Sequence, residues 1–205
     1  MRAAIHKATG AKVAVKTIKK ANLTVEDIDL AKREIEILKL CQHPNIIRLH
    51  DTFENPDHIY IVMELLKGKD LYEYLNKRDF KISEARARSI THSLATALFY
   101  LHSYGIVHRD MKLDNVLMVD ETENSDVKIV DFGLSKMIGP NEYCYEPFGT
   151  FGYAAPEVLK GNPYDKSVDI WGLGVMLFIL LVGHAPFEEE NEEKLALYDA
   201  RIKLY

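Results

Sequence analysis

The hydrophobic pattern changes its period once along this chain, and this change limits the fold more than any other feature. Before residue 66, alternating apolar residues predict strands over residues 3–8, 12–18, 46–53 and 58–64. One helix is predicted among these strands, from Val25 to Leu40, because apolar residues recur there every three or four positions. From Asp70 onward the pattern becomes helical. Strands first and helices afterwards predict an α+β chain with two unlike lobes.

The helical part contains several predicted elements and one long irregular segment. A short helix is expected over residues 70–77, a longer one from Ser83, as N-cap, to about Tyr104, and further helices near Pro156 and Ser167. Residues 138–153 have little periodicity, and an irregular segment of that length in a compact domain is usually functional. The apolar run over 170–183 is too short to span a bilayer comfortably, which favours a buried helix.

Composition excludes some classes of protein. Hydrophobic residues make up 47% and charged residues 28% of the chain, as in soluble globular proteins. The net charge of −5 gives no support for nucleic-acid binding, and no membrane partner or oligomer is predicted. The two cysteines, Cys41 and Cys144, form no disulfide framework, and no apolar leader opens the chain, so a reducing compartment is expected. The predicted location is cytoplasmic, and a nuclear location is left open.

Four short motifs follow one another along the chain, and each of them is weak alone. They are Val13-Ala14-Val15-Lys16, His108-Arg109-Asp110-Met111-Lys112-Leu113-Asp114-Asn115, Asp131-Phe132-Gly133 and Ala155-Pro156-Glu157. A lysine at the end of an apolar strand is usually solvated, and the other three motifs could be ordinary turns. Their order and spacing, taken together, carry the information.

The joint pattern resembles the eukaryotic protein kinase family. Lys112 resembles the serine/threonine type, and the region from Met63 to Pro186 resembles the calcium/calmodulin-dependent group. The resemblance implies a two-lobed kinase fold, with a small β-rich lobe and hinge over residues 1–66 and a larger helical lobe over 67–205. The implied activity is transfer of the γ-phosphate of ATP to serine or threonine hydroxyls of protein substrates, basic peptides among them.

The same resemblance implies which residues hold ATP and Mg²⁺. Lys16 would contact the α- and β-phosphates, and Glu34 would pair with Lys16; a solvated helix charge is the alternative for Glu34. Asp131 and Asn115 would bind magnesium, which prefers hard oxygen ligands and shares its shell with phosphates.

The substrate side and its regulation are implied in the same way. Asp110 would orient the substrate hydroxyl and accept its proton, Lys112 would neutralise the γ-phosphate, and Thr150 would contact the catalytic loop. No serine or threonine lies between Ser135 and Thr150, and Glu146 occupies the position that is usually phosphorylated. Our hypothesis is that Glu146 gives Arg109 a permanent negative charge; the alternative is that Glu146 is simply exposed.

The adenine pocket can be read from the resemblance as well. Backbone groups of Glu64 and Leu66 would meet adenine, and Ala14 and Leu117 would enclose the ring, with core packing as a compatible alternative. Asp70 would contact ribose or a basic substrate residue, unless it only caps the helix that follows.

A smaller group of residues would have a structural role in such a fold. His108 and Phe132 would stack with Leu38 and Leu49 in a spine between the lobes, and Asp169 would anchor that spine from below.

The sequence also departs from the family pattern. No G-x-G-x-x-G occurs before Lys16, so the small lobe is expected to lack its first strand and glycine loop, and the large lobe its last helices. The alternative function is therefore a weak or inactive kinase fragment that acts as a protein-binding module.

Overall fold

A four-stranded antiparallel sheet and one long helix form the small lobe. The computed structural model describes residues 1–187, and the strand order is β1-β2-β4-β3. The elements are β1 (Arg2–Ile5), β2 (Lys12–Lys19), α1 (Val25–Leu40), β3 (Leu49–Glu54) and β4 (His58–Glu64). These elements confirm the predicted β-rich small lobe.

The register of β2 against β4 decides which side chains face the inside of the molecule. Ala14 is paired with Met63, and Lys16 with Ile61. Directly paired residues project from the same face of a sheet, and Ile61 and Met63 are both buried. Ala14 and Lys16 therefore lie on the inner face of the sheet.

The helix α1 begins with a reciprocal cap. The Thr24 hydroxyl accepts a hydrogen bond from the Asp27 backbone N–H at 3.2 Å, and the Asp27 carboxylate accepts one from the Thr24 N–H at 2.9 Å. Two otherwise unpaired backbone donors are thereby satisfied. The predicted range from Val25 to Leu40 is confirmed, and its buried face includes Glu34.

The large lobe is mainly helical. Its elements are α2 (Leu71–Asn76), α3 (Glu84–Ser103), β5 (Ile106–Val107), β6 (Val116–Met118), β7 (Val127–Ile129), β8 (Lys136–Met137), α4 (Pro156–Leu159) and α5 (Ser167–Val182). Strand β6 pairs with β7, and β5 pairs with β8. Ser83 caps α3 as predicted, because its hydroxyl accepts from the Arg86 N–H at 3.2 Å. Together the two lobes confirm the α+β prediction.

Two predicted strands have different bounds in the structure. The first strand ends at Ile5, because residues 6–11 form a turn in which Gly10 has a φ of +71° and its N–H bonds to the His6 carbonyl. The strand predicted over 46–53 begins only at Leu49. Ahead of it, the Ile47 N–H bonds to the Ile129 carbonyl at 2.9 Å, so this segment joins the large lobe.

Helix α5 lies in the core of the large lobe, where it packs against α3. The side chain of Asp169, in its first turn, is buried, as are Met176 and Leu180 further along. Within residues 1–187, no helix is long and apolar enough to cross a membrane. The predicted large-lobe range continues to residue 205, and residues 188–205 lie outside the described part of the chain.

Residues 138–153 form the long irregular segment that the sequence predicts. Turns and bends dominate it, and a backbone bridge between Cys144 and Tyr164 fastens its middle to the large lobe. We call this stretch the activation segment below.

Candidate active site

An ion pair between the sheet and α1 forms the upper wall of the cleft between the lobes. The Lys16 Nζ lies 2.8 Å from both carboxylate oxygens of Glu34 and 3.8 Å from Asp131 Oδ1. Glu34 is only 4% exposed, so the alternative of a solvated helix charge does not describe it. The pair fixes the lysine ammonium at a defined point above Asp131.

A second polar network lies below the cleft, in the loop between β5 and β6. Thr150 Oγ1 donates to Asp110 Oδ1 at 2.7 Å and accepts from Lys112 Nζ at 2.7 Å. Lys112 Nζ is also 3.0 Å from Asp110 Oδ2. The Asn115 Nδ2 donates to the Asp110 carbonyl at 2.7 Å and to its Oδ2 at 2.9 Å. The network therefore holds both oxygens of the Asp110 carboxylate in place.

These contacts determine the protonation state of Asp110. Partial burial acts to raise the pKa of this carboxyl, but hydrogen bonds from Thr150, Lys112 and Asn115 and the charge of Lys112 lower it below its usual value. Asp110 is therefore an ionised hydrogen-bond acceptor at neutral pH.

The buried carboxylate of Asp169 supports this loop from beneath. It accepts hydrogen bonds from the backbone N–H groups of His108 and Arg109, each at 2.9 Å, and lies 2.8 Å from the His102 Nε2. Arg109 has a φ of +69°, in the left-handed region that non-glycine residues rarely occupy. Helix α5 also approaches closely here, because a Cβ on Gly172 would meet the Met111 carbonyl at 2.9 Å. The loop thus has little freedom to shift.

Two of the predicted spine residues, His108 and Phe132, contact each other within the large lobe. The rings of His108 and Phe132 meet edge to face at a centroid distance of 5.1 Å, and both side chains are buried. The His108 Nδ1 accepts the Asp110 N–H at 3.3 Å, and Leu38 is also buried, whereas Leu49 is half-buried.

A cleft of about 370 Å³ separates the two polar groups. Its lining residues are Met1, Ala14, Lys16, Glu34, Leu38, Ile47, Met63, Glu64, Leu65, Leu66, Asp114, Asn115, Leu117, Val130 and Asp131. The predicted adenine residues Ala14, Glu64, Leu66 and Leu117 are all among them. The Glu64 carboxylate bonds to Lys128 Nζ and to the Arg48 N–H, each at 2.7 Å, and the Glu64 N–H donates to the Arg48 carbonyl at 3.0 Å.

Among the residues predicted to bind ATP, Asp70 is the one that does not line this cleft. Its carboxylate accepts the Glu73 N–H at 2.7 Å and so caps α2. The contact seen in the structure is therefore the helix cap that the sequence analysis gave as the alternative for Asp70.

The predicted metal ligands converge on the same cleft. Asn115 uses its amide nitrogen for Asp110, which leaves its carbonyl oxygen for a cation, and the Asp131 carboxylate is 57% exposed. Among residues 1–187, no group of three or more His, Cys, Asp or Glu side chains forms a metal site by itself. Two protein oxygens fit Mg²⁺, which commonly completes its shell with water and substrate phosphates.

Comparison with known proteins decides the family. The protein kinase domain family matches residues 1–203 of this chain. The chain belongs to the protein kinase family.

Individual kinases are similar to this chain over most of its length. It is 41% identical over 195 residues to a calcium/calmodulin-dependent protein kinase type II from Caenorhabditis briggsae, covering 95% of the chain and 36% of that protein. The corresponding Caenorhabditis elegans protein is 42% identical over 195 residues, with 95% and 27% covered. An SNF1-related protein kinase catalytic subunit alpha, KIN12, from Arabidopsis thaliana is 40% identical over 192 residues, with 93% and 38% covered. The kinase chain thus spans roughly a quarter to two fifths of the length of these relatives.

Glu146 occupies a basic pocket in the activation segment of this kinase. One carboxylate oxygen lies 3.1 Å from Arg109 NH1 and the other 3.2 Å from Lys136 Nζ. Burial opposes ionisation, but backbone N–H groups of Glu146 and Tyr145 and the two cations lower the pKa of Glu146 to about 2. The expected contact between Glu146 and Arg109 is present, and its effect on activity stays a prediction.

Sequence reasoning missed several residues of the kinase site. Asp114 lines the cleft, Lys136 provides the second cation on Glu146, and the Tyr164 hydroxyl donates to the Glu146 carbonyl at 2.6 Å. Asp114 is exposed and lies in the motif over residues 108–115, so its place in that motif could have indicated a site residue. Tyr164 lies well beyond the activation segment in sequence, and no local pattern connects it to Glu146.

Proposed function

We propose that this chain transfers the γ-phosphate of ATP to serine or threonine hydroxyls of protein substrates, basic peptides among them. The observation that carries the proposal is the network in which Asp110, Lys112, Asn115 and Thr150 converge below the cleft. Phosphoryl transfer needs positioning and charge neutralisation more than covalent chemistry by the protein.

Each member of the network has a defined task in this proposal. The Asp110 carboxylate is ionised and accepts the hydrogen bond, and then the proton, of the substrate hydroxyl. Lys112, 3.0 Å from Asp110, places a positive charge next to the transferred phosphoryl group. Thr150 joins the activation segment to both side chains, so an ordered segment and an ordered acceptor depend on each other.

The nucleotide would occupy the cleft above this network. Its phosphates would meet Lys16, which Glu34 orients, and Asp131 and Asn115 would hold Mg²⁺. A metal ion held by Asp131 and Asn115 would supply positive charge against the negative charge that develops on the phosphates. The pairing of Lys16 with Glu34 keeps the ammonium directed into the cleft before nucleotide binds.

A second candidate function is a protein-binding module with little or no turnover. In that case the chain would bind a basic peptide without transferring phosphate to it.

A phosphate-transfer assay separates the two functions. The 205-residue chain is incubated with Mg²⁺, radiolabelled ATP and three basic peptides that differ only in a central Ser, Thr or Tyr. We expect label on the Ser and Thr peptides, its loss in Asp131→Asn, and unchanged transfer in Asp57→Asn, an exposed aspartate in a distant turn. Peptide binding without transfer in the unaltered chain would favour the binding module, and transfer preferring the Tyr peptide would exclude the proposed specificity.

A further inference from the structure

The segment that follows α1 is fastened to the large lobe, although it belongs to the small lobe by sequence. The Asn45 side chain donates to the Val127 carbonyl at 2.8 Å, and the Asn45 carbonyl accepts the Ile129 N–H at 2.8 Å. Lys128 Nζ reaches the Ile46 carbonyl at 3.4 Å. The C-terminal end of α1 therefore leads into a segment held by β7 of the large lobe.

A single hydroxyl group, that of Tyr100 on α3, binds the end of α1 itself. It accepts a hydrogen bond from the Gln42 N–H at 2.9 Å and donates one to the Leu40 carbonyl at 3.1 Å. Leu40 is the last residue of α1, and the final carbonyls of a helix have no partner within it. Tyr100 thus provides a hydrogen-bond partner for the last carbonyl of α1 and for an N–H group of the segment that follows it.

The side chain of Tyr100 is itself well fixed. Its ring contacts the rings of His43 and Tyr104, at centroid distances of 5.3 and 5.0 Å. Helix α3 is anchored in the large-lobe core through fully buried residues, of which Leu98 and Leu101 flank Tyr100. The hydroxyl is therefore a rigid point of the large lobe, to which α1 is attached.

Glu34 lies on the same helix, six residues before Leu40, which is about 9 Å along the axis. Its partner Lys16 lies on β2, a different element of the small lobe. The position of Glu34 relative to Lys16 consequently depends on where the end of α1 is held.

We propose that Tyr100 is a positioning residue of the nucleotide site, because its hydroxyl holds α1 where Glu34 meets Lys16. The inference deepens the proposed function and rests on it for its catalytic meaning. The geometric part, control of the Lys16–Glu34 pair by a hydroxyl of the large lobe, can be tested without any turnover.

The reactivity of Lys16 reports on this pair directly. An ion-paired amine reacts slowly with a succinimidyl ester, and mass spectrometry gives its acylation rate relative to the exposed Lys7 of the same chain. Tyr100→Phe keeps the ring and removes both hydrogen bonds. We expect Lys16 to react about fivefold faster in this variant, the effect of one or two net hydrogen bonds. Tyr60→Phe, on the outer part of the sheet, should leave the Lys16 rate unchanged and serves as the matched control.

A double-mutant cycle then distinguishes positioning from general stabilisation. If Tyr100 acts through Glu34, Tyr100→Phe accelerates Lys16 acylation in the original chain and adds nothing in a Glu34→Gln background. An unchanged Lys16 rate in Tyr100→Phe, or full additivity with Glu34→Gln, would overturn the proposal. A purely structural role would lower the unfolding midpoint without a selective change at Lys16, and this result would also overturn it.

The Tyr100 proposal and the proposed function can fail independently of each other. The acylation cycle needs neither ATP nor a peptide, so the expected cycle in a chain that transfers no phosphate supports the Tyr100 proposal and refutes the catalytic one. In a chain that does transfer phosphate, Tyr100→Phe should raise the KM for ATP severalfold, and Tyr60→Phe should not.

Discussion

The two sides of the cleft are built in different ways. Below it, Asp110, Lys112 and Asn115 come from one short loop of the large lobe, and Asp169 fixes that loop from within the same lobe. Above it, Lys16 and Glu34 come from separate elements of the small lobe.

Exposure differs between the proposed proton acceptor and the proposed metal ligand. The side chain of Asp110 is 13% exposed and accepts hydrogen bonds at both oxygens, whereas that of Asp131 is 57% exposed and lies 3.8 Å from Lys16. The substrate side, formed by Asp110, Lys112 and Asn115 below the cleft, is therefore preorganised by one short loop. The nucleotide side, formed by Lys16 and Glu34 above it, depends on how the two lobes and α1 are arranged. Substitutions on the substrate side should consequently lower mainly kcat, and substitutions on the nucleotide side mainly the affinity for Mg·ATP.

The largest effect is expected for the substrate side. Asp110→Asn removes the proton acceptor and should lower kcat by about 10²–10⁴. The dissociation constant for Mg·ATP should change far less than kcat, because Asp110 contacts neither member of the upper ion pair and reaches the proposed metal site only through its bond to Asn115. Steady-state kinetics and calorimetric titration measure the two quantities. A large loss of ATP affinity would show that the two sides are not independent.

The next largest effect is expected for Asp169, which supports the loop of the substrate side from beneath. Asp169→Ala leaves two buried backbone N–H groups without their acceptor and should lower the free energy of unfolding by about 3 kcal/mol. Urea denaturation measures the loss, and Asp57→Ala, at an exposed position, provides the control. A loss below about 1 kcal/mol would mean that other contacts, such as the approach of Gly172, hold the loop.

On the nucleotide side, Glu34→Gln should weaken Mg·ATP binding by about tenfold, since it removes a charged hydrogen-bond partner of Lys16. The exposed Glu36→Gln on the same helix should have no measurable effect. The value of kcat at saturating ATP should fall less than in Asp110→Asn. Equal affinities for the two variants would contradict the assignment of Lys16 to the phosphates.

The smallest effect is expected in the activation segment. The pKa of Glu146 is lowered to about 2 from 4.5, so its carboxylate stabilises the fold above pH 4.5, and this contribution is lost as pH falls towards 2. Glu146→Gln should lower kcat only severalfold at pH 7, because the Glu146 side chain is partly exposed and solvent weakens its ion pair with the buried Arg109. The stability difference from the original chain should shrink between pH 6 and pH 3.

The control for this pH dependence is Glu121→Gln, at an exposed position. Urea midpoints at each pH give the comparison. A difference that grows as the pH falls would have the wrong sign for a carboxylate with a lowered pKa and would remove the ion-pair interpretation.

Local sequence signals were sufficient for much of the fold. Helix α1 runs over the predicted range because its apolar spacing is regular, and Ser83 begins α3 because its hydroxyl caps the helix. The predicted start of β3 was wrong. Ile46 and Ile47 are apolar and would suit either the sheet or the large lobe, and backbone bonds to β7 place them against the large lobe.

The site was predicted through resemblance and not through local patterns. Nothing near Lys16 in sequence indicates Glu34, eighteen residues later, as its partner. Contacts made by Tyr100 and Lys128 were not predictable, because they form only when α3 and β7 lie behind α1. Residues that act through tertiary contacts leave no periodic signal in the chain.

The left-handed backbone of Asp131 has a consequence for how this chain can vary. Its φ of +60° is one that glycine adopts freely and that most other residues avoid, although aspartate tolerates it better than most. Stability alone would thus favour glycine at a position where the proposed chemistry needs a carboxylate. Selection for thermostability alone would therefore favour a substitution that removes the carboxylate on which the proposed turnover depends.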